Sequence, residues 1–240
     1  MPRHSKIELA AYFGMRCYLD KMRVLLFDTE TNGLPKSWNA SPYNTNNWPV
    51  ILTLAWQRWD VPSGGAAVFV DKGDYLLSPR AEVVWDCEAE KIHGITRDHA
   101  TTHGRPASEV LPEFVNIVRS IDLIVAHNMA FDKTVLLCEM IRINSSLVMD
   151  WWPRFEYCTC EGTKALCALP PAYGKPVRPS DPYKKPKLVE LYRCLFPESP
   201  ADFPFHSAAG DVECMTQCFL ELLRRRHVPL DLWERSLVRA

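Results

Sequence analysis

The stretch from Val24 to Leu34 constrains this chain more than any other, because two carboxylates directly follow a run that must be buried. Val24 to Phe27 is unbroken apolar sequence before a turn, which predicts a strand buried on both faces. Asp28 and Glu30 are two positions apart, so their side chains leave an extended chain from the same face. Paired carboxylates repel and resist desolvation, and a hard divalent cation is their usual compensator. Two solvated acids at a strand-to-turn junction are the alternative.

Composition indicates an ordinary globular protein. The 240 residues are 47% hydrophobic and 24% charged, enough for one domain with a full core. A net charge of -1 argues against a nucleic-acid binder that relies on many phosphate contacts. Since no apolar run reaches about eighteen residues, we expect no transmembrane helix and no membrane partner.

The nine cysteines lack the spacing of a disulfide framework, which predicts a reducing, cytoplasmic location. Cys158-Thr159-Cys160 with Cys167 is a candidate zinc cluster, but Cys-x-Cys is not a usual zinc spacing and no histidine follows at the right interval. We therefore interpret these residues as free, buried thiols.

Hydrophobic periodicity predicts the remaining elements. A loop rich in Asn, Trp and Pro covers 35–49, and two strands at 50–59 and 66–70 flank a Gly-rich turn that suggests an antiparallel hairpin. A buried strand is predicted at 123–126, and helices are predicted at 81–92, 106–120, 131–142, 188–196 and 207–226.

Residues 169–187 interrupt this pattern with six prolines, which exclude a regular helix. Lys184, Lys185 and Lys187 lie there close to Tyr183. Basic residues interleaved with aromatic ones suit the phosphates and base faces of a single strand. A solvated loop is the equally simple alternative.

Two further acids and a histidine complete a candidate site. Asp132 lies near the start of a predicted helix, and His206 precedes Asp211 by five residues at the start of the last helix. Together with Asp28 and Glu30 they make a two-metal hydrolytic site plausible. The small residues around His206 predict a mobile, partly exposed imidazole; the alternative is a histidine that caps the last helix.

Three motifs, in this order, resemble those of DEDD-type 3′-to-5′ exonucleases of the histidine subclass, a family that includes the proofreading subunit of bacterial DNA polymerase III and ribonuclease T. They are Phe27-Asp28-Thr29-Glu30-Thr31-Asn32-Gly33-Leu34, Ala126-His127-Asn128-Met129-Ala130-Phe131-Asp132, and His206-x-Ala-x-x-Asp211. Residues 92–96 and 185–192 are also similar to family segments. The resemblance runs from about 24 to 223, so we expect a 22–240 exonuclease domain after an N-terminal extension, 1–21, of unassigned role.

The resemblance implies an α/β, ribonuclease-H-like fold: a five-stranded mixed sheet, antiparallel in its first three strands, with helices on both sides. It also implies two divalent cations, Mg²⁺ with Mn²⁺ as a substitute. Asp28 would bridge both ions, Glu30 and Asp211 would complete the first, and Asp132 would hold the second largely through water. His206 would be the general base.

The expected partner is DNA or RNA with a 3′ end, hydrolysed to nucleoside 5′-monophosphates. The resemblance places Thr31, Asn32, Gly33 and Leu34 along the terminal nucleotide and Asn128 near the second metal; the three lysines, Lys184, Lys185 and Lys187, are expected to contact the strand. Two other functions stay open: an endonuclease of the same fold, and a non-catalytic nucleic-acid-binding subunit.

Overall fold

A computed structural model describes residues 21–143, 151–171 and 179–229. The predicted N-terminal extension lies outside the described residues, except for Lys21, which begins the first strand. Residues 172–178 of the proline-rich segment also lie outside them.

The fold is built on a five-stranded mixed sheet in the order β3-β2-β1-β4-β5. β1, β2 and β3 are antiparallel neighbours, whereas β1, β4 and β5 run parallel. The strands are β1 (Lys21–Thr31), β2 (Ile51–Pro62), β3 (Val68–Leu76), β4 (Leu123–Ala126) and β5 (Phe155–Cys158). This is the ribonuclease-H-like architecture, and it confirms the predicted fold class.

Eight helices lie within the described residues. They are α1 (Cys87–His93), α2 (Arg97–His103), α3 (Ala107–Val118), α4 (Met129–Arg142), α5 (Thr159–Gly162), α6 (Lys164–Cys167), α7 (Leu188–Leu195) and α8 (Ala208–Arg224). None of them is long and apolar enough to cross a lipid bilayer.

Alternating side chains of β1 divide the core into two layers. Leu25 and Phe27 pack with the buried side chains of α3 and α4, whereas Val24 and Leu26 pack with those of α7 and α8. All four side chains are inaccessible to solvent. Because alternate residues of a strand share a face, β1 is the buried central strand that its apolar run predicts.

The helix predicted at 81–92 is wrong at its start, since the helix begins only at Cys87. The carboxylate of Asp86 accepts hydrogen bonds from the backbone N–H groups of Glu88 and Ala89, and this capping fixes the boundary. Gly94 ends the helix in the left-handed conformation, with φ of 73°.

Two strands depart from the sequence prediction. The third was predicted at 66–70 but covers Val68–Leu76, and its polar half is accommodated because β3 pairs only with β2 and lies at the sheet edge. Gly73 faces the ring of Trp56, where a Cβ atom would lie 2.7 Å from the ring atoms. The fifth strand, Phe155–Cys158, was not located from residue patterns.

Candidate active site

Three carboxylates from two distant parts of the chain meet at the end of β1. Oxygens of Asp28, Glu30 and Asp211 lie within 4.8 Å of one another, and we call these three residues the acidic cluster. Within the described ranges, no other group of three His, Cys, Asp or Glu side chains meets this distance. Sequence reasoning had selected all three.

The alternation of β1 explains this convergence. Asp28 and Glu30 continue the series of Val24 and Leu26, whose side chains face the layer of α7 and α8. Asp211 lies in the first turn of α8, so it approaches Asp28 and Glu30 from that same layer. The spacing of the two β1 acids therefore aims both at the helix that carries the third.

The start of α8 is held by close local contacts. Ser207 caps the helix by accepting the N–H of Gly210 at 3.2 Å, and its hydroxyl donates to the carbonyl of Pro204 at 2.7 Å. A Cβ atom on Gly210 would lie 2.4 Å from that carbonyl oxygen. Gly210 thus permits the approach of 204–206 to the helix that presents Asp211.

Asp132 reaches the same end of the sheet from the opposite layer. It lies in the first turn of α4 and is buried, with 3% of its surface exposed. Its Oδ1 accepts a hydrogen bond of 2.7 Å from the hydroxyl of Thr29, which sits between Asp28 and Glu30. Thr29 was not singled out from the sequence, although the period of two already directs it away from the two acids and toward α4.

Burial raises the proton affinity of all four carboxylates, and neighbouring carboxylates add to it at Asp28, Glu30 and Asp132. Burial raises the pKa of Asp28 well above its usual range, and the charges of Asp132, Asp211 and Glu30 add to the effect. Burial likewise raises the pKa of Glu30 to about 7, with a further contribution from Asp211. Burial raises the pKa of Asp132 to about 7 against the Thr29 hydrogen bond, and that of Asp211 to about 6. Positive charge placed among the four groups would favour their ionised forms.

His206 lies beside the acidic cluster with its side chain exposed. Its backbone has φ of 66°, and its N–H donates to Oδ2 of Asp211 at 3.3 Å. Ser207 provides the helix cap, so the alternative of a capping histidine is wrong. The predicted exposure is confirmed, and the main chain ties His206 to Asp211.

The side chain of Asn32 holds the loop after β1 to two neighbouring segments. A register shift between Glu30 and Thr31 ends the regular pairing with β2. Asn32 accepts the N–H of Val50 at 2.7 Å and donates to the carbonyl of Val84 at 2.9 Å, while Gly33 has φ of 149°. Leu34, two residues after Asn32, is 72% exposed.

Leu34 also lines a cavity of about 770 Å³, together with Arg80 and Arg142. None of the acidic cluster lines it, so this cavity is separate from the carboxylates.

The turn after β4 contacts residues 184–187, which carry the three predicted substrate lysines and are called the lysine-bearing segment. Asn128 has φ of 73°, a left-handed conformation that Asn tolerates, and its side chain makes no capping bond to α4. His127, not selected from the sequence, contacts the hydroxyl of Thr159 through Nδ1 at 2.9 Å and the carbonyl of Pro186 through Nε2 at 3.0 Å. Burial lowers the pKa of His127 to about 4, so a neutral ring anchors the segment.

The three predicted substrate lysines do not contact the acidic cluster in this structure. Lys184 forms an ion pair with Glu190, and Lys185 forms one with Glu161. Lys187 is exposed, and its backbone N–H donates to Glu190 at 2.7 Å. Partial exposure leaves both ion pairs open to exchange.

The loop aromatics divide into two kinds. Trp48 is buried and secures the loop to the body of the protein, whereas Trp38 and Tyr43 are 58% and 77% exposed. The ring of Trp38 lies 5.8 Å from that of Phe131, next to Asp132 in sequence. Trp38 is therefore the loop aromatic with a defined contact near the site.

The fold, taken as a whole, matches solved nuclease structures. The zinc-bound complex of E. coli exonuclease I with single-stranded DNA matches with a TM-score of 0.63 and 16% identity, over 89% of this chain and 42% of that one. Exonuclease I from Methylocaldum szegediense matches with a TM-score of 0.63 and 18% identity, over 88% and 42% of the two chains.

The complex of E. coli exonuclease I with a dA16 oligonucleotide gives a TM-score of 0.63 at 17% identity, over 89% of this chain and 42% of that one. The chain thus spans less than half the length of these structures, and at this identity the likeness establishes the fold. No protein-family profile matches the chain, and no curated protein matches its sequence.

Proposed function

We propose that the chain is a metal-dependent 3′-to-5′ exonuclease of the histidine subclass of DEDD enzymes. It would release nucleoside 5′-monophosphates from single-stranded DNA or RNA. The observation that carries this proposal is the acidic cluster, joined by Asp132 and His206 at one edge of the sheet. The fold likeness to exonuclease I supports it.

The residues at this edge fit divalent cations. The four acids offer carboxylate oxygens, the ligands that Mg²⁺ and Mn²⁺ prefer. Each carboxylate is shifted toward its neutral form by burial, and no lysine or arginine of the described residues offsets that shift at any of the four. Asp28, Glu30 and Asp211 would hold one ion, and Asp28 and Asp132 the second. When bound, the ions would supply the positive charge that stabilises the phosphoryl group and the departing 3′ oxygen.

The chain's own residues perform the proton transfer and the positioning. His206 would take a proton from the water that attacks the terminal phosphorus, as the bond to the 3′ oxygen breaks in line. The hydrogen bond from the backbone N–H of His206 to Asp211 keeps the main chain of the base next to the cluster. Thr29 would hold Asp132 in a single orientation through its 2.7 Å hydrogen bond.

The substrate would reach the cluster along the turns at the same edge. Thr31 to Leu34 would line the terminal nucleotide, with Leu34 offering apolar surface to the base. Asn128, whose side chain is not used in capping, would face the strand near Asp132. Lys184 and Lys185 would exchange their glutamate partners for phosphates further along, and the exposed Lys187 would contact the strand beside them.

The direct test is digestion of end-labelled single-stranded DNA, duplex DNA and RNA, with Mg²⁺ and with EDTA. We expect stepwise loss of mononucleotides from the 3′ end that EDTA abolishes. Internal cuts would instead identify an endonuclease, and binding without cleavage a non-catalytic subunit. Asp28→Asn provides the control for contaminating nuclease.

A further inference from the structure

We propose that Cys158 and Cys160 form a reversible, peroxide-sensitive thiol pair at the edge of the sheet that carries the acidic cluster. Cys158 is the last residue of β5, and Cys160 lies in the short helix α5 that follows. Both are free thiols. Because β5 runs parallel to β4, and β4 to β1, Cys158 ends its strand at the edge where Asp28 lies.

The sulfur of Cys158 is surrounded by hydrogen-bond donors. It accepts the backbone N–H of Glu161 at 3.5 Å, and the N–H groups of Asn128 and Met129 also point to it. The thiol of Cys160 donates to it as well. This hydrogen bond from Cys160, with the three amides, lowers the pKa of Cys158 to about 5 despite burial. Cys158 is therefore the nucleophilic sulfur of the pair.

Access favours the same assignment, and a nearby positive charge acts on both thiols. The ammonium of Lys185, held nearby by its ion pair with Glu161, interacts with both sulfurs. Cys158 is partly exposed, whereas Cys160 is buried. An oxidant thus reaches Cys158 first, and Cys160 is in contact to resolve the product.

The chain geometry permits the cross-link. Residues two apart cannot separate their Cα atoms by more than about 7 Å, close to the upper end of the roughly 4.4–6.8 Å range of disulfides. The existing thiol hydrogen bond shows that the two side chains already point toward each other.

The reaction uses a peroxide as oxidant. The Cys158 thiolate attacks one peroxide oxygen, the O–O bond breaks, and a proton completes the departing water, which leaves a sulfenic acid. The thiol of Cys160 then attacks that sulfur, forms the S–S bond and releases a second water. The two sulfurs lose two electrons in total, and the peroxide gains them.

The disulfide would act on the neighbouring site through two contacts. It removes the anionic acceptor of the Asn128 and Met129 amides, at the start of the helix that presents Asp132. It also encloses Thr159, whose hydroxyl contacts His127 and so the Pro186 segment. We expect lower nuclease activity in the oxidised protein; this consequence rests on the proposed function, whereas the thiol chemistry does not.

The test compares Cys158 with Cys87, an exposed thiol on α1. The full chain is treated with hydrogen peroxide, and each cysteine is followed by differential alkylation and peptide mass spectrometry. We expect Cys158 to be oxidised at least about tenfold faster than Cys87, as a disulfide with Cys160 that dithiothreitol reverses. Cys87→Ser should leave this oxidation unchanged.

Two variants separate the roles within the pair. Cys160→Ser should leave a sulfenic acid on Cys158 that dimedone traps, and Cys158→Ser should leave Cys160 reduced. The proposal is overturned if Cys87 reacts first in the wild-type protein, a result that needs no variant to fold. Complete disulfide formation with unchanged nuclease activity would overturn the coupling to the site.

Discussion

The acidic cluster and the lysine-bearing segment lie near the same edge of the sheet, but the charges of the first repel one another and those of the second are largely paired. Asp28, Glu30 and Asp211 repel one another in a partly buried setting, and burial shifts each toward its neutral form. Lys184 and Lys185 are already paired with glutamates, in contacts that remain partly exposed to water.

This difference separates carboxylates that a bound cation would stabilise from lysines that already have partners. Desolvated carboxylates of one sign store unfavourable energy that a bound cation relieves. Exposed ion pairs contribute at most about 1 kcal/mol, so a phosphate can replace the glutamate with little change in free energy. We therefore expect large effects from changes in the cluster and small ones from changes in the segment.

The largest effect is expected for Asp28→Asn. The change would remove the proposed ligand of both ions, and we expect cleavage to fall by about a thousandfold or more, about 4 kcal/mol. The melting temperature in EDTA should stay the same or rise, because one repelling charge is removed. The exposed acid Asp74 on β3 supplies the control, as Asp74→Asn should cleave normally. Activity of Asp28→Asn within tenfold of wild type would contradict the proposed site.

A smaller loss, about a hundredfold in kcat, is expected for His206→Ala at saturating Mg²⁺. Metal affinity should change little, because His206 contacts Asp211 only through its backbone N–H. His99→Ala changes another exposed histidine, on α2, and should leave kcat unaltered. A normal kcat for His206→Ala would mean that a different group accepts the proton.

The pH dependence of stability should reveal the repulsion itself. The folded-state pKa values of Glu30 and Asp132, about 7, lie above those of an unfolded chain, so their contribution is present at low pH and lost as pH rises through 7. We expect the metal-free protein to lose about 1 kcal/mol or more between pH 5 and 8, or roughly 2–4 °C in Tm per kcal/mol.

Saturating Mg²⁺ should abolish most of that decline, and Asp28→Asn should reduce it without metal. Thermal melts in EDTA and in Mg²⁺ across this pH range provide the measurement. A metal-free Tm that climbs steadily from pH 5 to 8 would show that the carboxylates are not strained.

The smallest effect is expected when Lys184, Lys185 and Lys187 are replaced together by alanine. We expect KM to rise a few fold while kcat stays the same. The salt dependence of KM should flatten by roughly 0.7 in logarithmic slope for each phosphate that the variant no longer neutralises. Replacing Lys72 and Lys91, exposed lysines elsewhere, supplies the matched control. An unchanged slope would identify the segment as a solvated surface.

The sequence was sufficient where local rules determine the outcome. The period of two placed Asp28 and Glu30 on one face of β1, and apolar runs located β1 and β4. An Asp before a helical pattern is also a local signal for a helix start, and Asp86 provides it. The prediction did not use this signal and began the helix too early.

Sequence patterns failed where contacts come from distant segments. β5 is only four residues long, and its position is fixed by pairing with β4. The bond from Thr29 to Asp132 and the pairing of Lys185 with Glu161 depend on how the layers pack. Such contacts are set by tertiary structure and leave no periodic trace in the chain.

The origin of the acidic cluster at opposite ends of the described chain has a consequence for biosynthesis. Asp28 is synthesised first, and Asp211 follows only after every strand of the described sheet. The cluster therefore cannot assemble until all five of these strands have been synthesised. A chain that stops before Asp211 would lack one of the three carboxylates of the proposed metal site.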